Sequence, residues 1–157
     1  MAAMEQDPRP AVCGDLPIVV AIVQTAYVHY VPRIGREPGP MLDDYRTLIK
    51  EGRVYVVERD GIIQGILVLI QQGDTMLLDN VAVVPAAQGS GLGRRLLEFA
   101  ESTAVALGCC SIRLYTNEVM AENIKLYSRI GYFETHRAEE KGLRRVYMVK
   151  PLARALR

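Results

Sequence analysis

The stretch from Arg53 to Pro85, RVYVVERDGIIQGILVLIQQGDTMLLDNVAVVP, constrains the fold more than any other. It holds runs rich in β-branched residues, interrupted at Asp60-Gly61 and at Gly73-Asp74. Asp-Gly between such runs is a strong short-range hairpin signal. The spacing predicts three antiparallel strands, the last ending at Pro85. A bare loop follows, with Gly89, Gly91 and Gly93 in alternation, and it opens into an amphipathic helix. Leu92, Leu96, Phe99, Thr103 and Leu107 share one face of that helix, and Gly108 stops it.

Upstream of the strands, Asp15 stands where it caps a helix, with Pro17 in the first turn, where a missing N–H costs little. Ile18, Ala21, Ile22, Thr25 and Ala26 then recur at helical spacing. Three prolines and two glycines in YVPRIGREPGPML forbid a long regular element there. A short helix over LDDYRTLIKEG has Asp43 and Asp44 near its positive end and Gly52 as its stop. Downstream of the loop helix, SIRLYT reads as a strand and MAENIKLYSRIG as a helix ended by Gly131. YFETHR and RRVYMVK close the chain as a hairpin around Gly142. This order predicts an α+β fold in a single domain spanning 1–157. Its sheet is mostly antiparallel, with one right-handed parallel crossover between Val81 and Thr116.

Nineteen basic and eighteen acidic side chains leave a net charge of +1, which argues against a nucleic-acid partner, since a duplex surface needs a concentrated basic face. Cys13, Cys109 and Cys110 make no disulfide framework, because neighbours are too close for an unstrained bridge. With His29 and His136 as the only histidines, no spacing suggests a metal. The run IVVAIV is far shorter than the ~20 residues that span a bilayer, and MAAMEQDPRP has no leader pattern. The expectation is a cytoplasmic protein with no membrane partner.

A strand that ends in a glycine loop and opens a helix is an anion-binding arrangement. The first helical N–H groups are unpaired, the helix dipole favours negative charge, and glycine lets a ligand approach the backbone. A nucleoside-triphosphate loop needs Gly-Lys-Ser/Thr, and no lysine follows these glycines. A dinucleotide fingerprint read from Gly91 places Leu96 where its last glycine belongs. Gln88-Gly89-Ser90-Gly91-Leu92-Gly93 instead matches Arg/Gln-x-x-Gly-x-Gly/Ala, and the chain resembles the GNAT superfamily of N-acetyltransferases. LLDNVAVVP resembles that family's fourth strand, and ENIKLYSRIGY resembles its Tyr-x-x-x-Gly-Tyr/Phe helix end. The resemblance runs from about Pro10 to Leu152. It implies helices on both faces of the sheet.

The resemblance also implies a reaction: acetyl passes from acetyl-CoA to the primary amine of a small molecule or peptide. The loop backbone of Gly89, Ser90, Gly91, Leu92, Gly93 and Arg94, with Gln88, is then expected to hold the pyrophosphate. The strand Val81-Ala82-Val83 would pair with the peptide-like pantetheine arm. Tyr127 matches the family's general acid, with an ordinary pKa near ~10; the alternative is packing against Ile124 and Ile130. Asn123 shares its face and is placed to bond the cofactor, although the family's usual asparagine position is Met120 here. The general base has several readings. The position some relatives fill with glutamate is Tyr115; Asp79 lies on the fourth strand and Glu118 in a loop, and an amine of modest pKa needs no dedicated base. Among these, Asp79 is favoured. Tyr27, Tyr30 and Arg33 are the expected acceptor contacts. A homodimer is expected from the resemblance, with VYMV near the C-terminus as the strand offered to a partner. A non-catalytic acyl-CoA-binding module on the same fold is the alternative reading.

Overall fold

The computed structural model describes residues 7–153. Most of the N-terminal stretch read above for a leader lies outside them. Seven strands form one sheet: β1 (Arg9–Pro10), β2 (Val54–Arg59), β3 (Ile62–Gln72), β4 (Thr75–Val83), β5 (Ser111–Asn117), β6 (Phe133–Glu140) and β7 (Leu143–Pro151). Their spatial order is β1-β2-β3-β4-β5-β7-β6, and only β4 and β5 run parallel. The helices are α1 (Leu16–Tyr27), the single turn α2 (Val31–Ile34), α3 (Tyr45–Lys50), α4 (Leu92–Ala106) and α5 (Ala121–Arg129). The expected mostly antiparallel α+β sheet is what forms.

The β2–β3 turn is built as the sequence dictates. Asp60 and Gly61 both take positive φ, 55° and 77°, the conformation a two-residue hairpin turn needs to match the twist of its strands. β3 is apolar almost throughout because it is covered on both faces. Ile66 and Val68 point to a cluster with Val19, Ile22 and Val23 of α1 and Ile49 of α3. Leu67 and Leu69 point to the opposite cluster, with Leu96, Leu97 and Ala100 of α4 and Tyr127 of α5. Gly65 sits where α4 comes closest. A Cβ there would lie 3.0 Å from Leu96 Cδ1 and 3.2 Å from Val57 Cγ1, so the glycine sets the helix-to-sheet distance.

Three expectations are corrected. Asp15 precedes α1, but its carboxylate turns back to accept from the Val12 N–H at 2.9 Å and to pair with Arg9 at 2.9 Å. The Arg9 guanidinium and the Val12 N–H claim its oxygens, and Pro17 removes one of the N–H groups that a capping side chain bonds. The buried face of α4 is Leu92, Leu96, Leu97, Ala100 and Ala104; Leu107 is 52% exposed and Phe99 only half-buried. Leu97, Ala100 and Ala104 face the sheet with Leu96, so the buried stripe lies to one side of the Phe99–Thr103–Leu107 line. VYMV lies in β7, flanked on both edges by β5 and β6, with Val146 and Met148 buried, so it offers no free edge to a partner. The helical stretch Cys13–Ile34 reaches 22 residues at mean hydropathy 1.2, long and apolar enough by composition for a bilayer span; its Val19, Ile22 and Val23 pack in the core.

Candidate active site

The site begins with one extra residue. Val68 pairs with Asn80 and Leu69 with Leu78, which leaves Asp79 as a bulge in β4. A bulge bends its strand and re-aims the extra side chain. On its other edge β4 pairs with β5 only from Thr75 to Leu77, against Ser111 to Arg113. Beyond the bulge the two parallel strands separate, and a gap opens between them. Among the described residues, the Val81 and Val83 carbonyls are met on this edge by side chains, the Tyr27 hydroxyl at 3.3 Å and the Gln88 amide at 3.4 Å. That edge suits an added peptide-like strand. The Ala82 side chain turns the other way, into the core beneath α1.

At the end of β4 the glycine loop takes its shape from two residues in the left-handed region, Gly89 at φ 80° and Gly91 at φ 86°. A side chain at either would be strained there, yet the space where its Cβ would stand is open. Gly91 caps α4 without any side-chain bond. Among the described residues, no hydrogen bond uses the N–H groups of Gly89, Gly91, Leu92, Gly93 or Arg94. Ser90 departs from the expectation: its N–H donates to the Ala87 carbonyl at 3.2 Å, so it belongs to the turn and not to the donor set. The Leu92 side chain is buried, while the Arg94 side chain is exposed and pairs with Glu98. Open space, free N–H donors and a helix dipole are what a pyrophosphate requires, so the residues present fit coenzyme A.

Two hollows flank the gap and meet at Tyr27, Val81, Asn123 and Tyr127. One runs along Val81, Ala82, Val83, Gln88 and Gly93 towards the loop. The other has an empty volume, mouth included, of about 550 Å³ and is lined by Asp79, Tyr115, Asn117, Met120 and Arg145, with Pro38, Gly39 and Pro40 at its rim. Tyr127 therefore stands between a cofactor groove and a second chamber. Its ring packs edge-on against Tyr132, with centroids 5.7 Å apart. No hydrogen bond among the described residues ends on its hydroxyl. Burial, and then Tyr30, push its pKa up to about 12, above the ordinary value, so it keeps its proton at neutral pH.

In the second chamber the Tyr115 hydroxyl donates to Asp79 Oδ1 at 3.1 Å. The position some relatives fill with glutamate thus holds the bulge carboxylate in place. Asp43 approaches the same carboxylate from the start of α3. Desolvation, and then the charge of Asp79, hold Asp43 well above the carboxylate range, up to about 7, although its side chain still reaches solvent. The Arg145 guanidinium lies 4.3 Å from the Tyr115 ring centroid and pairs with Glu140 at 2.9 Å. Glu118, the loop carboxylate, pairs with Arg144 at 3.2 Å and borders a different hollow.

The three expected acceptor contacts separate. Tyr27 lines both hollows, but its hydroxyl is engaged: it donates to Asn80 at 2.6 Å, and the Asn80 amide donates to the Tyr45 hydroxyl at 3.0 Å. Burial raises the Tyr27 pKa well above its ordinary value, so this hydroxyl also stays protonated. Tyr30 lies on the cofactor side. Arg33 lines neither hollow; it pairs with Glu122 of α5 at 2.8 Å, with its guanidinium 5.1 Å from the Tyr30 ring centroid. Asn123 stands at the junction, its amide 3.6 Å from Met120 Sδ. Arg145, Glu140 and Asn80 were not anticipated. The pairing of Asp79 with Asn80 after Leu77-Leu78 was the available signal, since it breaks strict alternation where the bulge forms.

A gap between parallel strands, an anion loop beside it and a protonated tyrosine at the junction define an acyl-CoA-dependent acyltransferase. The comparisons with known proteins agree. Residues 50–134 match the model of the acetyltransferase (GNAT) domain. An IAA acetyltransferase of Azospirillum brasilense is 31% identical over 120 residues, covering 70% of this chain and 78% of the relative. An Escherichia coli N-acetyltransferase of a ribosomal-protein alanine superposes with a TM-score of 0.76 at 22% identity, over 97% of this chain and 96% of that one. The PaiA N-acetyltransferase of Thermoplasma acidophilum, in complex with coenzyme A, gives 0.76 at 15% identity, over 96% and 99%. The chain belongs to the GNAT family of acetyltransferases. It is an N-acetyltransferase, with acetyl-CoA as donor.

Proposed function

We propose that this enzyme acetylates a primary amine at the junction of its two hollows, with Tyr127 and Asp79 on either side of the reacting atoms. The position of Tyr127, shared by the cofactor groove and the acceptor chamber, carries the reading. When bound, acetyl-CoA supplies an activated acetyl thioester. The N–H groups of Gly89, Gly91, Leu92, Gly93 and Arg94 hold its pyrophosphate, and the free edge of Val81 and Val83 aligns the arm that carries the thioester. Gln88 and Asn123 border that groove.

Asp79 performs the first proton transfer. An alkylammonium must lose a proton before its nitrogen attacks, and a carboxylate on a bulge, oriented by Tyr115, is placed to accept it. Tyr127 serves the departing sulfur. With a pKa of about 12 it is more basic, as tyrosinate, than an ordinary thiolate at ~8.5, so it acts mainly by donating a hydrogen bond to the developing charge. Tyr27 shapes the same junction from the opposite wall while its hydroxyl ties β4 to α1. If the protein self-associates through a strand edge, the outer strands β6 and β1 are the ones open to it, since β7 is covered on both sides.

An acetylation assay read by free-thiol release, run over a panel of primary amines, tests the reading. Amine-dependent thiol release is the expected result, and it should fall sharply in Asp79→Asn. Amine-dependent turnover of undiminished rate in that variant would remove Asp79 from the mechanism.

A further inference from the structure

The acceptor chamber is closed in a way that selects its occupant. Its rim, Pro38 to Pro40, belongs to the irregular segment between α2 and α3, and that segment touches the β6–β7 hairpin at two points. A Cβ on Gly39 would stand 3.4 Å from Arg145 Nη2, an ordinary contact distance, so backbone and guanidinium already meet there. The exposed Arg36 side chain lies against Gly142, with its guanidinium beside the glycine. A polypeptide acceptor needs an open groove through which its chain can leave the site. Here the rim meets the hairpin through the Arg145 and Arg36 side chains, which narrows the chamber on that side.

The charges select further. Arg145 is the cation that lines the chamber, and it is already engaged: Glu140 pairs with it at 2.9 Å, and its guanidinium is stacked against Tyr115. The Tyr147 hydroxyl donates to Glu140 and holds it below the usual carboxylate range, so Glu140 remains ionised. Asp79 lines the same chamber and Asp43 faces Asp79. A substrate carboxylate would find the cation of the lining already paired with Glu140 and two further carboxyl groups close by. An ammonium would find Asp79. The rest of the wall is mixed: Leu78, Leu114, Met120 and Leu143 lie beside the aromatic ring of Tyr115, with Asn80, Thr116 and Asn117 among them.

We infer that the acceptor is a small primary amine without a carboxylate, and that the Glu140 pairing with Arg145 is what rejects amino acids. This rests on the proposed acetyl transfer at the Tyr127 junction. The Glu140 role is one of specificity: it acts through Arg145 and touches no reacting atom.

The test uses three amines sharing one ring: 2-phenylethylamine, phenylalanine, and a tetrapeptide amide beginning with phenylalanine. The peptide's amino group is the least basic of the three, near ~7.7–8.0, so at pH 7.5 free-base availability favours the peptide, against the inference. Even so, kcat/KM for 2-phenylethylamine should exceed both others by at least about tenfold, or roughly 1.4 kcal/mol. In Glu140→Gln the ratio of 2-phenylethylamine to phenylalanine should fall at least threefold, because Arg145 is released to meet a carboxylate; Glu140→Asp should restore the ratio. Calorimetric titration of each amine into the coenzyme A-bound protein reads affinity without turnover. Binding in the expected order without thiol release would sink the catalytic reading and keep this one. Turnover that prefers phenylalanine or the peptide, or a ratio unmoved in Glu140→Gln, overturns the inference alone. Neither binding nor turnover of 2-phenylethylamine overturns it as well.

Discussion

The Tyr115 hydroxyl and the Asp79 carboxylate, 3.1 Å apart, join two strands that share no ladder at that level. The contact spans the gap that the bulge opens, and it fixes a carboxylate that strand geometry alone would leave mobile. Tyr115→Phe keeps the ring on which Arg145 stacks and removes only this donor. A neutral donor to a charged acceptor typically contributes about 1.5–3 kcal/mol, so kcat/KM for the amine should drop roughly 10- to 100-fold. The KM for acetyl-CoA should hold, since the loop and Val81–Val83 lie outside this contact. Steady-state kinetics with both substrates varied would show it, and an equal loss in the KM for acetyl-CoA would speak for general disruption.

The carboxyl pair makes stability depend on pH in a definite direction. Asp43 has a folded pKa raised to about 7, above an unfolded value near ~3.9. Between those values the folded state binds more protons than the unfolded state, so this pair's contribution falls as pH rises from about 4 to 7. Asp43→Asn removes the ionisation and keeps a donor towards Asp79. It should therefore leave Tm nearly unchanged at pH 5 and raise it at pH 8. Thermal melts at the two pH values decide this; a lower Tm at pH 8 than wild type would mean that Asp43 gains more from its cationic neighbours Lys141 and Arg145 than it loses to Asp79.

Coenzyme A should stabilise the fold through the loop. A ligand at 100 times its Kd adds about 2.7 kcal/mol by mass action, enough to raise Tm by several degrees in a domain this size. Dephosphorylated pantetheine reaches Val81–Val83 but not the loop, and should give a much smaller shift. Gly91→Asp puts a strained side chain at φ 86° and a carboxylate where phosphate approaches. Its own Tm should fall modestly and its coenzyme A shift should vanish. Differential scanning fluorimetry on both proteins with both ligands gives the four numbers needed.

The strands, the glycine loop and the tyrosine helix were legible because each is local: turn residues, periodicity and capping act within a few positions. The bulge at Asp79 was written only as a doubled polar pair in one strand, and its consequence depends on what β3 and β5 do beside it. Arg145 and Glu140 were invisible for a related reason. Their pairing depends on which way an exposed hairpin turns its charges, and alternation along β6 and β7 does not say which arginine faces a chamber. Asp15 shows the converse, a strong local signal redirected by Arg9, which comes from a two-residue strand too short to read.

Gly65 carries a prediction about packing alone. Gly65→Ala adds one methyl between Leu96 Cδ1 at 3.0 Å, Val57 Cγ1 at 3.2 Å and the Ala82 carbonyl oxygen at 3.3 Å. The backbone oxygen cannot yield, and the two side chains are fully buried. Overpacking of this kind typically costs about 1–3 kcal/mol. Urea unfolding should show a lower midpoint at unchanged slope, and a midpoint equal to wild type would mean that α4 lifts from the sheet without loss.

Tyr127→Phe separates the two roles of one side chain. The ring is 7% exposed and packs on Tyr132, so phenylalanine preserves the burial. The hydroxyl has no hydrogen-bond partner among the described residues, so its removal orphans no buried group and Tm should move by no more than a degree or two. Catalysis should respond quite differently. General acid assistance typically contributes 10²–10⁴-fold, and a tyrosine at about 12 gives hydrogen-bond stabilisation more readily than full proton transfer. The fall in kcat should therefore lie near the lower end, about 10²-fold, with the KM for acetyl-CoA changed far less. Single-turnover measurement ensures that chemistry is what is read, and not product release. Replacing acetyl-CoA with a thioester whose thiol is more acidic should narrow the gap between mutant and wild type, because a better leaving group needs less help. Equal rates with acetyl-CoA in both proteins would reduce Tyr127 to a packing residue and leave the departing thiolate to solvent.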